Sequence, residues 1–271
     1  IKLATMKLPN YLVVGLLFLV VGCSDYQKAL KSENLGVKNK LAQSLYEDGK
    51  YRKAAQLYEQ LKVSHRGKPQ AERIIFFYAN ALLETKNYIL AAYEFETFVK
   101  AYPKSQKADE AYFLMAHAYY MTSPNFSLDQ TDTYEALDKL QEFINRYPES
   151  ERMERANAMV QELRIKTERK GFETAKQYHT IRDYKAAMKA LDNFIADNPG
   201  TSFREGALFV QFSAAATLAI NSVAYKKENR LEDAKSKFEN FKRLYPESTH
   251  MEDAQKLLED IEQEILTFAS N

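Results

Sequence analysis

Two kinds of side chain in this sequence have types and positions that could do chemistry: a single thiol and four imidazoles. Cys23 is the only cysteine in 271 residues, and it lies just beyond an eleven-residue apolar run, Tyr11 to Val21 (YLVVGLLFLVV), itself preceded by Lys7. A lone thiol can form neither an internal disulfide nor a cysteine-rich zinc site. At the end of an apolar segment it is instead a nucleophile placed for modification. The imidazoles of His65, His117, His179 and His250 are scattered, none three or four residues from another, so no single helix offers a pair of metal ligands. Adjacent acids such as Glu47-Asp48 and Asp109-Glu110 read as solvated helix surface. The sequence contains no GxxxxGK[ST], GxGxxG, GxSxG or HExxH, so nothing proposes phosphate cradling, dinucleotide binding, acyl transfer or zinc hydrolysis. The reading is a non-catalytic chain with no cofactor and no metal.

The segment around the thiol reads as processing chemistry. A membrane-spanning helix needs about 20 apolar residues to cross about 30 Å of hydrocarbon, so Tyr11–Val21 is too short for a stable span and has the length of a signal-peptide core. Met6, followed by Lys7, reads as the start, with Ile1 to Thr5 upstream. Val20-Val21-Gly22-Cys23 resembles the bacterial lipobox, in which the cysteine thiol receives diacylglycerol, the peptide is cut before it, and the new amino group is acylated. Two acyl chains suffice for stable anchoring. The expected division is therefore 1–22 signal peptide, 23–35 lipidated N-terminus and linker, and 36–271 folded domain. Ser24, a non-aspartate after the cysteine, resembles the choice that sorts lipoproteins to the outer membrane.

Composition sets the class of the remainder. Hydrophobic residues at 45% and a formal charge of +1 describe a globular chain. Thirty-eight basic against thirty-seven acidic residues give no electrostatic case for gripping nucleic acid. Eight glycines and seven prolines are too few for the turns of an all-β fold, whereas 18 Tyr and 16 Phe without Trp form a strongly aromatic set.

One pattern is written several times. Aligned on Pro103, Pro148, Pro199 and Pro246, the chain repeats Ala, Phe or Leu, and Phe at fixed offsets before each proline: Ala91/Phe95/Phe98, Ala136/Leu140/Phe143, Ala187/Leu191/Phe194 and Ala234/Phe238/Phe241. Ser105, Ser150, Thr201 and Ser248 follow two residues later, then Ala111, Ala156, Ala207 and Ala254. Positions i, i+4 and i+7 share one helix face, where the alanine admits a neighbouring helix and the larger residues fill the gap. Proline ends the helix and the hydroxyl residue is placed to cap the next one. An earlier, less complete copy runs through Ala42/Leu45 and Ala54/Tyr58/Leu61. Gly49-Lys50-Tyr51 and Lys86-Asn87-Tyr88 read as turns within helix pairs. The proline spacings of 45, 51 and 47 residues require three insertions: Thr122–Thr133, an extended helix over about Ser150 to Ile181, and another over about Ser202 to Glu228.

These units resemble the tetratricopeptide repeat, with a small residue in the first helix, Ala then an aromatic in the second, and Pro at the end. The resemblance implies an all-α, right-handed solenoid of about five such helix-turn-helix units plus a C-terminal helix from about Ser248 to Phe268. In this repeat type the first helices line the concave face. Phe76-Phe77-Tyr78 covers about 200° of helical arc, wider than the roughly 100° stripe one core face needs, so at least one ring should turn away from the seam. Tyr112-Phe113 and Tyr119-Tyr120 carry the same argument more weakly. An inner wall of this kind accepts an extended or turn-containing peptide.

A lipobox, a short polar linker and five such units together resemble the BamD family of outer-membrane β-barrel assembly lipoproteins. Leu41-Ala42, Asp48-Gly49, Tyr51 and Ala54 look like the family's opening unit, Met153 through Tyr178 to Ala187 like its fourth, and SPNFSLDQTDTYEAL like an insertion in one branch. The resemblance implies a non-catalytic scaffold under the outer membrane, facing the periplasm. Its N-terminal units would receive unfolded outer-membrane proteins. Its C-terminal units would dock the POTRA domains of BamA, the barrel subunit, and other assembly-complex lipoproteins. Carried onto this chain by repeat register, the receiving groove comprises Asn39, Gln43, Tyr46, Arg73, Phe76, Asn80, Phe113, His117 and Tyr120. A longer fifth-unit first helix and a longer last helix depart from the best-known members. A lipidated adaptor for peptidoglycan or division proteins would share the fold, and a lipoprotein enzyme or nutrient binder would need a convergent polar site.

Overall fold

A computed structural model describes residues 25–269, and the segment 1–22, Cys23 and Ser24 lie outside the described residues. Every regular element among those residues is an α-helix: α1 (25–31), α2 (Leu35–Glu47), α3 (Tyr51–Ser64), α4 (Ala71–Glu84), α5 (Tyr88–Ala101), α6 (Ala108–Thr122), α7 (Thr131–Arg146), α8 (Met153–Thr180), α9 (Tyr184–Asp197), α10 (Arg204–Ile220), α11 (Ala224–Leu244) and α12 (Met251–Ala269). The helices pair as α2–α3, α4–α5, α6–α7, α8–α9 and α10–α11, with α12 last, which is the expected helical-repeat plan. The chain divides into two compact units: residues up to Ser123 with Thr131–Met159, and Pro124–Gln130 with Val160 onward.

The proline-aligned template is the core in both units. Its Ala, Phe and Leu side chains are all buried, the most accessible being Phe194 at 6%. Ala91, Ala136, Ala187 and Ala234 are wholly covered, so each helix crossing has space for a methyl group and nothing larger. In the first unit a continuous core joins Ala42, Tyr58, Phe76, Phe95 and Phe98. In the second, Phe212, Phe238 and Phe241 pack with Ala254 and Ile261, beside a smaller cluster of Phe172, Leu191, Phe194 and Ala207. Burying each such phenylalanine contributes roughly 1.5–3 kcal/mol.

Two local motifs join the helices. The first is the turn within a pair. Gly49 (φ 71°), Lys86 (φ 62°) and Arg182 (φ 66°) occupy one position in three of these turns, all left-handed. The next residue's N–H in each returns to a carbonyl five residues back: Lys50 to Leu45 (2.8 Å), Asn87 to Leu82 (2.9 Å) and Asp183 to Tyr178 (2.9 Å). This double-back bond satisfies the orphan carbonyls at the helix end. The second is the Ser/Thr after each proline. The hydroxyl accepts from the N–H two residues on, in the turn leading into the helix rather than at the helix cap itself: Lys107 to Ser105 (2.9 Å), Arg152 to Ser150 (3.2 Å), Phe203 to Thr201 (3.2 Å) and His250 to Ser248 (3.0 Å). The three serines also donate to an acid in the first turn of the preceding unit's first helix: Ser105 to Glu72 (2.5 Å), Ser150 to Asp109 (2.8 Å) and Ser248 to Glu205 (2.5 Å). Each serine therefore fastens consecutive repeats together as well as holding the turn into the next helix.

The insertions resolve differently. The first is the loop from Ser123 to Gln130, and the second is α8, 28 residues long, as expected. The third is corrected: the fifth unit's first helix does not run on to Glu228. It ends at Ile220, and the added length belongs to α11, of 21 residues. The stop is built from side chains that turn back onto carbonyls: Thr217 Oγ1 to Ser213, Asn221 Nδ2 to Thr217 and Ser222 Oγ to Leu218. Val223 is then extended (φ −64°, ψ 148°), breaking the helix without proline or glycine.

Candidate functional site

The first helices of the first three pairs, α2, α4 and α6, carry the residues expected to form a groove. Of the aromatic run in α4, Phe76 (7% exposed) and Tyr78 (3%) are buried, and Phe77 is the half-exposed ring. Phe77 meets Tyr46 edge-on at 5.0 Å and stacks with Tyr58 at 6.0 Å, linking α2, α3 and α4. Tyr46 is in turn edge-on to Tyr51 at 5.2 Å. Geometric aromatic pairs of this kind add about 0.5–1.5 kcal/mol beyond burial, so the site's floor is fixed before any guest arrives.

Above this floor is a cavity of about 530 Å³ lined by Tyr46, Glu72, Arg73, Phe76, Phe77, Asn80, Phe98, Lys107 and Glu110, with Pro69 at its edge. Four of the nine expected residues, Tyr46, Arg73, Phe76 and Asn80, therefore share one cavity. The other lining residues, Pro69, Glu72, Phe77, Phe98, Lys107 and Glu110, are not among the nine. The arc argument did require one ring of the run to face outward, and Phe77 is that ring.

The polar groups of the cavity differ in how far they are engaged. Glu72 accepts from Ser105, and Glu110 is bridged by Lys107 (2.8 Å) and approached by Arg152 (3.9 Å). Lys107 Nζ also lies 5.4 Å from the centre of the Phe76 ring. Arg73 is exposed and lies over Phe77 at 5.4 Å, with no carboxylate partner among the described residues. Its N–H donors are thus presented on an aromatic surface rather than used internally. Asn80 donates from Nδ2 to the Phe76 carbonyl (2.9 Å), which orients the amide and leaves its oxygen as an acceptor. Burial, followed by the nearby Tyr51, Glu84 and Glu110, pushes the Tyr46 phenol up to about 12, so it remains a neutral O–H donor. The arrangement offers apolar surface with a few fixed donors and acceptors, which suits a main chain and one or two apolar side chains.

The other expected residues lie elsewhere. Asn39 is exposed on α2, and Gln43 donates to Glu47 (2.8 Å) within the same helix. Phe113, His117 and Tyr120 form a separate stack on α6, with ring centres 6.3 and 6.1 Å apart. Phe113 is buried at 1%, edge-on to Phe143 and covered by the Arg155 guanidinium at 5.0 Å. It supports His117 from below instead of facing solvent. Burial, and then the Arg155 charge, lower the His117 pKa below 6.5, and its Nδ1 is buried without a hydrogen-bond partner among the described residues. The other three histidines make local contacts: His65 Nδ1 lies 2.9 Å from the Leu61 carbonyl, His179 contacts Ser213 Oγ (3.1 Å) and His250 stacks on Phe209 at 4.5 Å. Among the described residues no group of three or more His, Cys, Asp or Glu could hold a metal ion.

The chain has relatives among known proteins. The chain is 28% identical over 93 residues to the outer membrane protein assembly factor BamD of Helicobacter pylori, covering 34% of this chain and 42% of that protein. It is 23% identical over 176 residues to the factor of the same name from Caulobacter vibrioides, covering 65% and 58%. The chain thus spans about half the length of these curated relatives. Among solved structures, a TPR2AB-domain:pHSP90 complex of yeast Sti1 aligns over 84% of this chain and 98% of that one, at 12% identity and a TM-score of 0.37. A family model for YfiO, outer membrane lipoprotein, matches residues 39–230 and 166–267, which takes in α3 to α11 whole and most of α2 and α12. The repeat-borne resemblance is therefore one of descent, and the chain belongs to the YfiO family of outer membrane lipoproteins.

Proposed function

We propose that this protein is a non-catalytic scaffold in outer-membrane β-barrel assembly, held at the periplasmic face of the outer membrane by lipid on Cys23, with residues 1–22 removed as signal peptide. Its first three repeats receive unfolded segments of outer-membrane proteins. Its C-terminal repeats dock the POTRA domains of a BamA-like barrel subunit, beside other lipoproteins of the complex. The observation that carries the receiving role is the Tyr46–Arg73–Phe77–Asn80 cavity, an aromatic floor with a guanidinium that has no carboxylate partner among the described residues. Family membership and the names of its relatives support the assembly role.

Mechanistically, an extended segment lacks partners for its own N–H and C=O groups. Arg73 and Tyr46 can donate to its carbonyls and the Asn80 oxygen can accept from an N–H, while an apolar side chain covers Phe77. Such contacts hold an unfolded strand without selecting a single sequence, as a carrier of many substrates requires. Affinity purification of the intact protein from detergent-solubilised outer membranes tests the proposal. A large β-barrel subunit with periplasmic POTRA domains should co-purify in stoichiometric amount. Recovery of only peptidoglycan or division proteins would overturn the assembly role.

A further inference from the structure

The first helix pair leaves open a face that later pairs close. In the shared register of α2, α4 and α6, Val37 corresponds to Ile74 and Ala111, Leu41 to Tyr78 and Met115, and Ser44 to Ala81 and Ala118. The six later residues are all buried, Tyr78 being the most accessible at 3%. Their helices pack against the second helix of the preceding pair as well as that of their own, α3 and α5 for α4, α5 and α7 for α6. Before α2 there is only the short α1, held by the Tyr26 hydroxyl donating to Gln56 on α3 and by the buried Ala29. Val37 is consequently 53% exposed, Ser44 is exposed and Leu41 is half-buried. Between α1 and α2 a cavity of about 500 Å³ remains, with Ala29, Val37 and Leu41 as its apolar wall. A terminal repeat ordinarily turns a polar face outward, so an apolar slot at this position calls for a cover.

Charge and chain position both point to what covers it. Asp25, Lys28 and Lys40 line the same cavity. Asp25 lies 3.6 Å from Lys28, whereas Lys40 is exposed with no carboxylate partner among the described residues, so one positive charge is in excess beside the apolar slot. That combination suits a molecule with an apolar tail and an anionic head. Cys23 is two residues before Asp25, a reach of about 7 Å even for fully extended chain. A lipid anchor on Cys23 therefore brings the bilayer to the mouth of the groove, with too little chain between to fill it. We propose that the α1–α2 groove seats one anionic phospholipid of the anchoring membrane, an acyl chain along Ala29, Val37 and Leu41 and its phosphate at Lys28 and Lys40. The inference rests on the reading of Cys23 as the anchor. This second contact holds the first helix pair at the bilayer surface, in addition to the covalent lipid. The groove shares no residue with the Arg73 cavity.

The test reconstitutes the intact membrane-purified protein into phosphatidylcholine vesicles that carry a photoreactive acyl chain on either phosphatidylglycerol or phosphatidylcholine. Adducts are mapped by mass spectrometry. The phosphatidylglycerol probe should label the stretch from Ala29 to Leu41 in preference to the rest of the chain. Lys40→Gln should lower that yield about fivefold and leave labelling by the phosphatidylcholine probe within about twofold. Val37→Asp should remove labelling of the groove by both probes. Both substitutions are at exposed positions, and unchanged helical circular dichroism checks that the fold is kept. Equal labelling by the two probes, adducts spread along the chain, or a phosphatidylglycerol yield unmoved by Lys40→Gln would overturn the proposal. Loss of labelling in excess inorganic phosphate would make this a plain anion site and overturn it equally. Labelling of Cys23→Ala but not of the acylated protein would mean that the protein's own acyl chain fills the groove, which also overturns it. The mass of the N-terminal peptide reports acylation separately. An unacylated Cys23 with groove labelling intact contradicts the anchor and supports the groove, whereas an acylated Cys23 without labelling overturns the groove alone.

Discussion

His117 resists protonation in the folded protein because its ring is buried against Phe113 and Tyr120, with the Arg155 charge nearby. The unfolded chain carries the ordinary imidazole value of 6.5, so below that pH it binds a proton that the folded state resists. The stability His117 contributes is therefore complete above about 6.5 and is lost as pH falls toward its lower folded value. His179, lowered by burial and then by Lys176, acts in the same direction. Urea denaturation at pH 7.5 and 5.5 should show a loss of stability on acidification that is smaller in His117→Gln and smallest in His117→Gln/His179→Gln. Unchanged pH dependence in the double variant would contradict the assignment. The left-handed residues give a second expectation. A non-glycine residue with positive φ costs about 1–2 kcal/mol, of which glycine's chain entropy returns about 0.5–1. Lys86→Gly and Arg182→Gly should each raise stability by about 0.5–1 kcal/mol in the same denaturation experiment. Gly49, at the equivalent position, marks the natural solution.

At the scale of the helix, the alanines carry the fold as much as the phenylalanines do. Ala91 is fully covered at its crossing, so Ala91→Phe must displace packed neighbours and should cost about 1–3 kcal/mol or more, read as a lower thermal midpoint with reduced helix content. The helix pairs, their order and their buried faces were legible because one spacing recurs four times and each copy supports the others. The serine link from Ser105, Ser150 and Ser248 to the preceding repeat was not legible, because the acids Glu72, Asp109 and Glu205 lie 33, 41 and 43 residues away. The end of α10 was misplaced for a related reason. No proline or glycine marks it, and Thr217, Asn221 and Ser222 stop the helix by hydrogen bonds that composition alone does not predict. Register brought Tyr46, Arg73, Phe76 and Asn80 to one cavity and left the other five expected residues outside it. Which ring of Phe76-Phe77-Tyr78 faces outward depends on the packing of α3 and α5 against α4.

In the whole molecule, a chain of the outer membrane lipoprotein family carries a cavity whose aromatic floor is prebuilt and whose guanidinium has no carboxylate partner among the described residues. The central claim is that this cavity, on the α2 and α4 face, is where unfolded outer-membrane protein segments bind. Fluorescence anisotropy tests it most directly, using the intact protein and a labelled peptide copying one terminal strand of an outer-membrane barrel, about 9–11 residues long. Saturable binding is expected, weakened about tenfold in Arg73→Glu, an exposed position whose loss spares the core, and unchanged in Ile89→Ser. Absence of binding, or binding indifferent to Arg73→Glu, would contradict it.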